Sequence, residues 1–110
     1  MAVTVTDVPE RSRYEARIDA GPEAADDGVA AGFAAYLRKG NLVVFTHTEV
    51  DPEHEGHGVA SALARGALDD VRRRDLKALL RCPFLREWIT HHPEYDDVVA
   101  HREVGSDTTP

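Results

Sequence analysis

Polar and apolar positions along this chain change period once, and the change divides strands from helix. Between residues 11 and 50 they alternate one by one, the two-residue period of β-strands. From about Gly58 to Arg74 they recur every three to four residues, the period of a helix. Arg11 to Ile18 reads as a strand with Tyr14, Ala16 and Ile18 on one side. Val29 to Leu37 alternates again, which puts Val29, Ala31, Phe33, Ala35 and Leu37 on one face. Lys39-Gly40-Asn41 is a short turn, so Leu42 to Val50 is expected to return as the hairpin partner. Along that strand Val43, Phe45, His47 and Glu49 share one face, and Leu42, Val44, Thr46, Thr48 and Val50 share the other.

The helix carries a stripe of Val59, Leu63, Ala67 and Val71, flanked by Ala60, Ala64 and Leu68. Leu76 to Leu80 is a short apolar run of the kind that makes a buried strand. Pro83 opens a second helix through Phe84, Leu85, Trp88 and Ile89, and His92-Pro93 stops it. Another helical turn is expected within Pro93 to Val99. Residues 1–10 read as a loose leader or a short edge segment. Gly21-Pro22 and Asp26-Asp27-Gly28 are turn signals. A hairpin, a helix and a further strand make an α+β sandwich the natural architecture.

With 110 residues the chain suits one small domain, assigned to 1–101, and the polar segment 102–110 reads as a disordered tail. No apolar run reaches the roughly 18 residues of a membrane span. No signal peptide is recognised, and the single cysteine, Cys82, excludes an internal disulfide. A cytoplasmic setting is expected. The formal net charge of −7 argues against a nucleic-acid partner. Arg72, Arg73 and Arg74 read as a solvated helix end whose cations complement the dipole.

Chemistry concentrates between strand and helix. Val50 to Ser61 reads V-D-P-E-H-E-G-H-G-V-A-S. A strand, a glycine turn and a helix N-terminus in this order can cradle a phosphate, because unpaired amides and the dipole attract an anion. Ordinary turn chemistry is the plainer reading, and no Walker loop or dinucleotide fingerprint is present. Glu49 ends a strand beside a buried face, where a carboxylate can act as a base; His47 lies two residues earlier on that face and can tune it. Cys82, just before a helix N-terminus, is either a small buried side chain or an activated nucleophile. His54, Glu55 and His57 lack the spacing of a His-Glu-x-x-His site, so no metal is expected.

Four blocks stand together: H-T-E-V at 47–50, E-G-H-G-V-A at 55–60, R-C-P-F at 81–84 and H-P-E-Y at 92–95. In this order they resemble the short, stand-alone GNAT-like N-acetyltransferases, a minimal branch of the GNAT superfamily, over roughly residues 11–100. The resemblance implies a minimal GNAT fold, mostly antiparallel, with a central cofactor-binding helix and a C-terminal helix. It implies acetyl-CoA (CoA) as cofactor and an amine as acceptor. Val50 would offer backbone groups to the pantetheine arm, and Gly56, His57, Gly58, Val59 and Ala60 would hold the pyrophosphate. Glu49 matches the position of the base, helped by His47, and Cys82 falls near the acetyl thioester. The resemblance also implies an acceptor site that is open or completed by a protein partner. A non-catalytic acyl-CoA-binding or interaction module is the alternative.

Overall fold

The computed structural model describes residues 3–18, 29–54 and 58–100. The turn signals at 21–22 and 26–28, and the segment 102–110, lie outside the described residues. Six strands form one sheet in sequence order: β1 (Val3–Val8), β2 (Arg13–Ile18), β3 (Val29–Lys39), β4 (Leu42–Val50), β5 (Lys77–Leu80) and β6 (Val99–Ala100). The first four are antiparallel; β4, β5 and β6 are parallel. Parallel neighbours need crossovers. Helix α1 (Val59–Arg73) links β4 to β5, and α2 (Pro83–Thr90) with a 3₁₀ turn at Pro93–Tyr95 links β5 to β6.

The α1 stripe buries Val59, Leu63, Ala67 and Val71 against Tyr14, Ala16, Ile18, Val43 and Phe45. The helix ends where Asp75 takes a left-handed φ of 61°. Its amide bonds to Arg72 O at 3.0 Å and the Leu76 amide to Val71 O at 2.9 Å, the pairing of a Schellman cap. The leader is an edge strand, β1, paired with β2 over its whole length.

Two strands depart from simple alternation, each through one extra residue. In β3, Gly32 pairs with Ala16 but Ala30 pairs with Arg17, so Ala31 is a bulge. Parity therefore flips. Ala31, Ala34 and Tyr36 are buried, while Leu37 is 55% exposed. Ala31 therefore leaves the expected face and joins Ala34 and Tyr36 in the core, while Phe33, Ala35 and Leu37 still share the opposite face. In β4, Phe45 pairs with Tyr36 but His47 pairs with Ala35, leaving Thr46 as the extra residue. Val43 and Phe45 enter the core, but His47 and Glu49 leave that face and are exposed, which corrects the expectation that all four share it.

The three arginines at the end of α1 are paired rather than merely solvated. Arg72 donates to Glu94 O at 2.7 Å and to Asp97 at 2.6 Å. Arg73 pairs with Asp70, and Arg74 reaches Asp7 and Asp70 at 3.1 Å each. Tyr14 donates to the buried Asp70 at 2.8 Å, and Tyr36 to Asp7 at 2.6 Å. This network ties β1, β2 and β3 to the last turns of α1. No helix among the described residues is long and apolar enough to cross a membrane.

Candidate functional site

β4 outruns β5. Their pairing ends at Phe45 and Leu80. The amides of Arg81 and Cys82 both turn onto Phe45 O, at 2.9 and 3.1 Å. From there the chain enters α2, while β4 continues to Val50 with no β5 residue beside it. The two strands part as a wedge, and among the described residues no strand pairs with this edge of β4 beyond Phe45.

The N-terminus of α1 lies at this wedge. Gly58 caps it with φ 78°, a left-handed conformation that favours glycine. Among the described residues no side chain caps the helix, and its first turn holds no acidic residue. The first bond runs from the Ala62 amide to Gly58 O at 2.9 Å, so the amides of Val59, Ala60 and Ser61 precede any intrahelical partner. A Cβ built on Gly58 meets nothing within 4 Å. A cleft of about 410 Å³ is lined by Val50 of β4, by Gly58 to Ser61, and by Phe84 and Trp88 of α2.

Val50, Gly58, Val59 and Ala60 are thus brought together; Gly56 and His57 lie outside the described residues. The cleft offers amides at a positive helix end, an open strand edge and an aromatic wall. An elongated ligand with a phosphate head and an amide-bearing arm needs each of these.

On the outer face of the sheet, His47 Nε2 lies 2.8 Å from Glu49 Oε2, and both side chains are more than half exposed. Phe33 stands 6.1 Å from the His47 ring, centroid to centroid. A second cleft, of about 360 Å³, runs past Glu49, Asp51, Phe33, Arg13 and Glu15. Val50 lines both clefts. Burial pushes the Glu15 carboxyl up, but the Arg13 hydrogen bond at 2.9 Å and the charges of Arg13, Arg11 and Arg17 outweigh it and hold it below the usual range. Arg13 also lies 4.6 Å over the Phe33 ring.

A third cleft, of about 410 Å³, lies between β1 and the later turns of α1. Asp7, Asp69 and Asp70 line it, and its arginines, Arg73 and Arg74, are paired with Asp70 and Asp7. It offers an anion little.

Residues 13–98 match the family described as GCN5-related N-acetyl-transferase. The chain belongs to this family. A human protein, NATD1, is 40% identical over 52 residues, 47% of this chain and 46% of that protein; the mouse NATD1 is also 40% identical over 52 residues. The chain spans about half the length of the curated relatives it matches. A solution structure of a GCN5-like putative N-acetyltransferase from Staphylococcus aureus superposes with a TM-score of 0.63, covering 96% of each chain at 20% identity, and so shares the fold. The six-stranded sheet with two helices is therefore a GNAT domain in its minimal form.

Within this GNAT domain Cys82 stands apart from the His47–Glu49 pair. It is buried, lines none of the three clefts, and its thiol donates to Thr48 Oγ1 at 3.3 Å. Thr48 alternates with its neighbours and so points away from the face of His47 and Glu49.

Ser61 closes the Val50–Ser61 stretch, but the sequence assigns it no role of its own, and it places Trp88 on the apolar face of the second helix. The Trp88 indole N–H donates to Ser61 Oγ at 3.1 Å, and His92 stacks on the indole. The i, i+3 spacing of Leu85 and Trp88 signalled burial, but nothing in the sequence signalled a partner 27 residues away. Asp51, Glu53 and His54 bring ligand-type atoms within 4.8 Å of one another, where Asp51 already accepts the Glu53 amide at 3.0 Å.

Proposed function

We propose that this domain, residues 1–101, is an acetyl-CoA-dependent N-acetyltransferase that takes its amine acceptor from the outer face of the sheet. The observation that carries this reading is the β4 edge that no described strand pairs beyond Phe45, facing a cleft headed by the uncapped amides of α1. Acetyl-CoA, when bound, supplies a thioester carbonyl that an amine nitrogen attacks as the CoA thiol leaves. The amides of Gly58, Val59 and Ala60 hold the pyrophosphate, together with Gly56 and His57 of the same motif. Backbone groups of Val50 pair with the pantetheine arm. Phe84 and Trp88 keep water from the cleft wall.

Glu49 takes the proton from the acceptor nitrogen, and His47 orients the carboxylate through their 2.8 Å contact. Glu49 suits this role because it lines the outer cleft, which shares Val50 with the CoA cleft. Cys82 is not assigned an acetyl-enzyme role, since its thiol is buried against Thr48.

The test is a panel of amines, from small diamines to lysine peptides, with CoA release followed for the parent and Glu49→Gln. Turnover that falls about 10²–10⁴-fold in Glu49→Gln supports the assignment. Acetyl-CoA binding without turnover across the panel makes the domain a non-catalytic acyl-CoA-binding module.

A further inference from the structure

Charge on the outer face of the sheet is sorted by strand. On β2, Tyr14, Ala16 and Ile18 enter the core, so Arg13, Glu15 and Arg17 alternate onto the outer face. The register sets them in rows with β3 and β4. Arg13 pairs with Ala35, which pairs with His47; Glu15 pairs with Phe33, which pairs with Glu49. Further along, Arg17 pairs with Ala30, and the Asp51 amide bonds to Ala31 O at 2.7 Å. The cleft of about 360 Å³ crosses all three strands, since Arg13, Phe33, Glu49 and Asp51 line it.

Its two flanks differ in sign. On β2 the buried Glu15 is faced by Arg13 at 2.8 Å, Arg17 at 3.3 Å and Arg11 at 3.6 Å. Arg11 and Arg13 alone outweigh that single carboxylate, so this flank is cationic. The Arg13 guanidinium leans inward and lies 4.6 Å from the centroid of the Phe33 ring. On β4, Glu49 and Asp51 are exposed carboxylates. His47 meets Glu49 at 2.8 Å, and Asp51 accepts the Glu53 amide at 3.0 Å. Phe33, half-buried, forms an apolar floor between the flanks.

We infer that the acceptor is an aliphatic ω-amino carboxylate, held with its ammonium at Glu49 and Asp51, its methylene chain over Phe33 and its carboxylate at Arg13. This rests on the proposed acetyltransferase reading and names the acceptor class. The backbones of β2 and β4 stand two strand spacings apart, about 10 Å. An α-amino acid, whose amine and carboxylate share one carbon, is too short to reach both flanks. A diamine has the length but sets its second cation against Arg13. A chain-ending lysine, with its side-chain amine and terminal carboxylate, presents the same groups as 6-aminohexanoate. In the transfer the bound ammonium gives one proton to Glu49, and the freed amine forms the N–C bond to the acetyl carbon. The C–S bond breaks, and the second nitrogen proton leaves with the sulfur. The products are an ω-acetamido carboxylate, CoA and the proton that Glu49 passes to water.

The experiment measures kcat/KM by CoA release at fixed acetyl-CoA for 6-aminohexanoate, 6-aminohexanamide, hexylamine and 1,6-diaminohexane. These share one chain and differ only in the group offered to Arg13. The acid is expected to exceed each of the others by about tenfold, the scale of a charge-assisted hydrogen bond. That preference should shrink to about unity in Arg13→Gln and largely return in Arg13→Lys, with the change carried by KM rather than kcat. The readout is a ratio within each variant, so a general loss of activity does not move it. Nα-acetyl-lysine and its methylamide repeat the comparison for a chain end. A carboxylate preference in either pair upholds the inference and identifies its source.

Equal kcat/KM for acid and amide in both pairs overturns the inference. A preference that persists in Arg13→Gln, or a diamine favoured over the acid, overturns it too. In each of these cases the amines still turn over, and the acetyltransferase reading stands. CoA release with none of the amines defeats that reading, and the inference with it.

Discussion

The Cys82 thiol donates to the Thr48 hydroxyl at 3.3 Å, on the opposite side of β4 from the Glu49 carboxylate. The two candidate reacting groups of this chain therefore do not share a site. The Thr46 bulge is the cause, because one extra residue reverses which alternate positions face inward.

From this separation we expect Cys82→Ala to lower stability through lost packing, by about 1 kcal/mol, the scale of a small buried group and a weak hydrogen bond. Its turnover should stay close to that of the parent, in contrast to Glu49→Gln. Steady-state rates with mass spectrometry of the stopped reaction check this. An acetyl group trapped on Cys82, with activity lost in Cys82→Ala, would reverse the roles.

Gly32 faces Val50 across the β3–β4 pair, and a Cβ there would lie 2.5 Å from Glu49 O and 3.2 Å from Val50 Cα. Both are backbone atoms, so the strands rather than a side chain must move. Gly32→Ala is expected to cost about 1–3 kcal/mol, the usual range for overpacking. It should also weaken acetyl-CoA binding, because Val50 lines the CoA cleft. Denaturant unfolding and calorimetry on the same sample test both parts; an unchanged midpoint would show that β3 and β4 do not approach this closely.

Burial raises the phenols of Tyr14 and Tyr36 to about 12; the Asp7 charge adds to both, and Tyr36 also donates to Asp7. An unfolded tyrosine titrates near 10. Between these values the unfolded chain sheds protons that the folded chain keeps, so ν_U is below ν_N and stability falls as pH rises. This contribution is fully present below about pH 10 and is lost as pH climbs toward about 12. Melting temperatures from pH 9 to 12 should fall more gently in Tyr14→Phe than in the parent. Parallel curves would mean that Tyr14 ionises as freely in the fold as out of it.

The sequence showed the strand and helix periods, the Gly58 start of α1 and the Pro83 start of α2, because each is written in local spacing and backbone chemistry. It did not show the bulges at Ala31 and Thr46. A bulge leaves alternation on paper intact and exists only in the register between two strands, so Ala31 of β3 and the end of β4 were placed on the wrong face. β6, with two residues, is too short to carry a period. The pairing of Arg72 with Asp97 and of Trp88 with Ser61 depends on how α1 meets distant segments. The residues of the CoA cleft were legible because a strand, a glycine turn and a helix start follow one another in the chain. The outer cleft draws on β2, β3 and β4, and no contiguous motif announces it.

The central claim, that acetyl-CoA lies along the open β4 edge with its phosphates at the start of α1, is tested most directly by titrating the ¹⁵N-labelled protein with acetyl-CoA and following backbone amide shifts. The account predicts the largest shifts at Val50, Gly58, Val59, Ala60 and Ser61, with smaller ones at Phe84 and Trp88. Shifts confined to Val5, Asp69 and Arg73 along the β1–α1 cleft, or no shifts at millimolar acetyl-CoA, would contradict it.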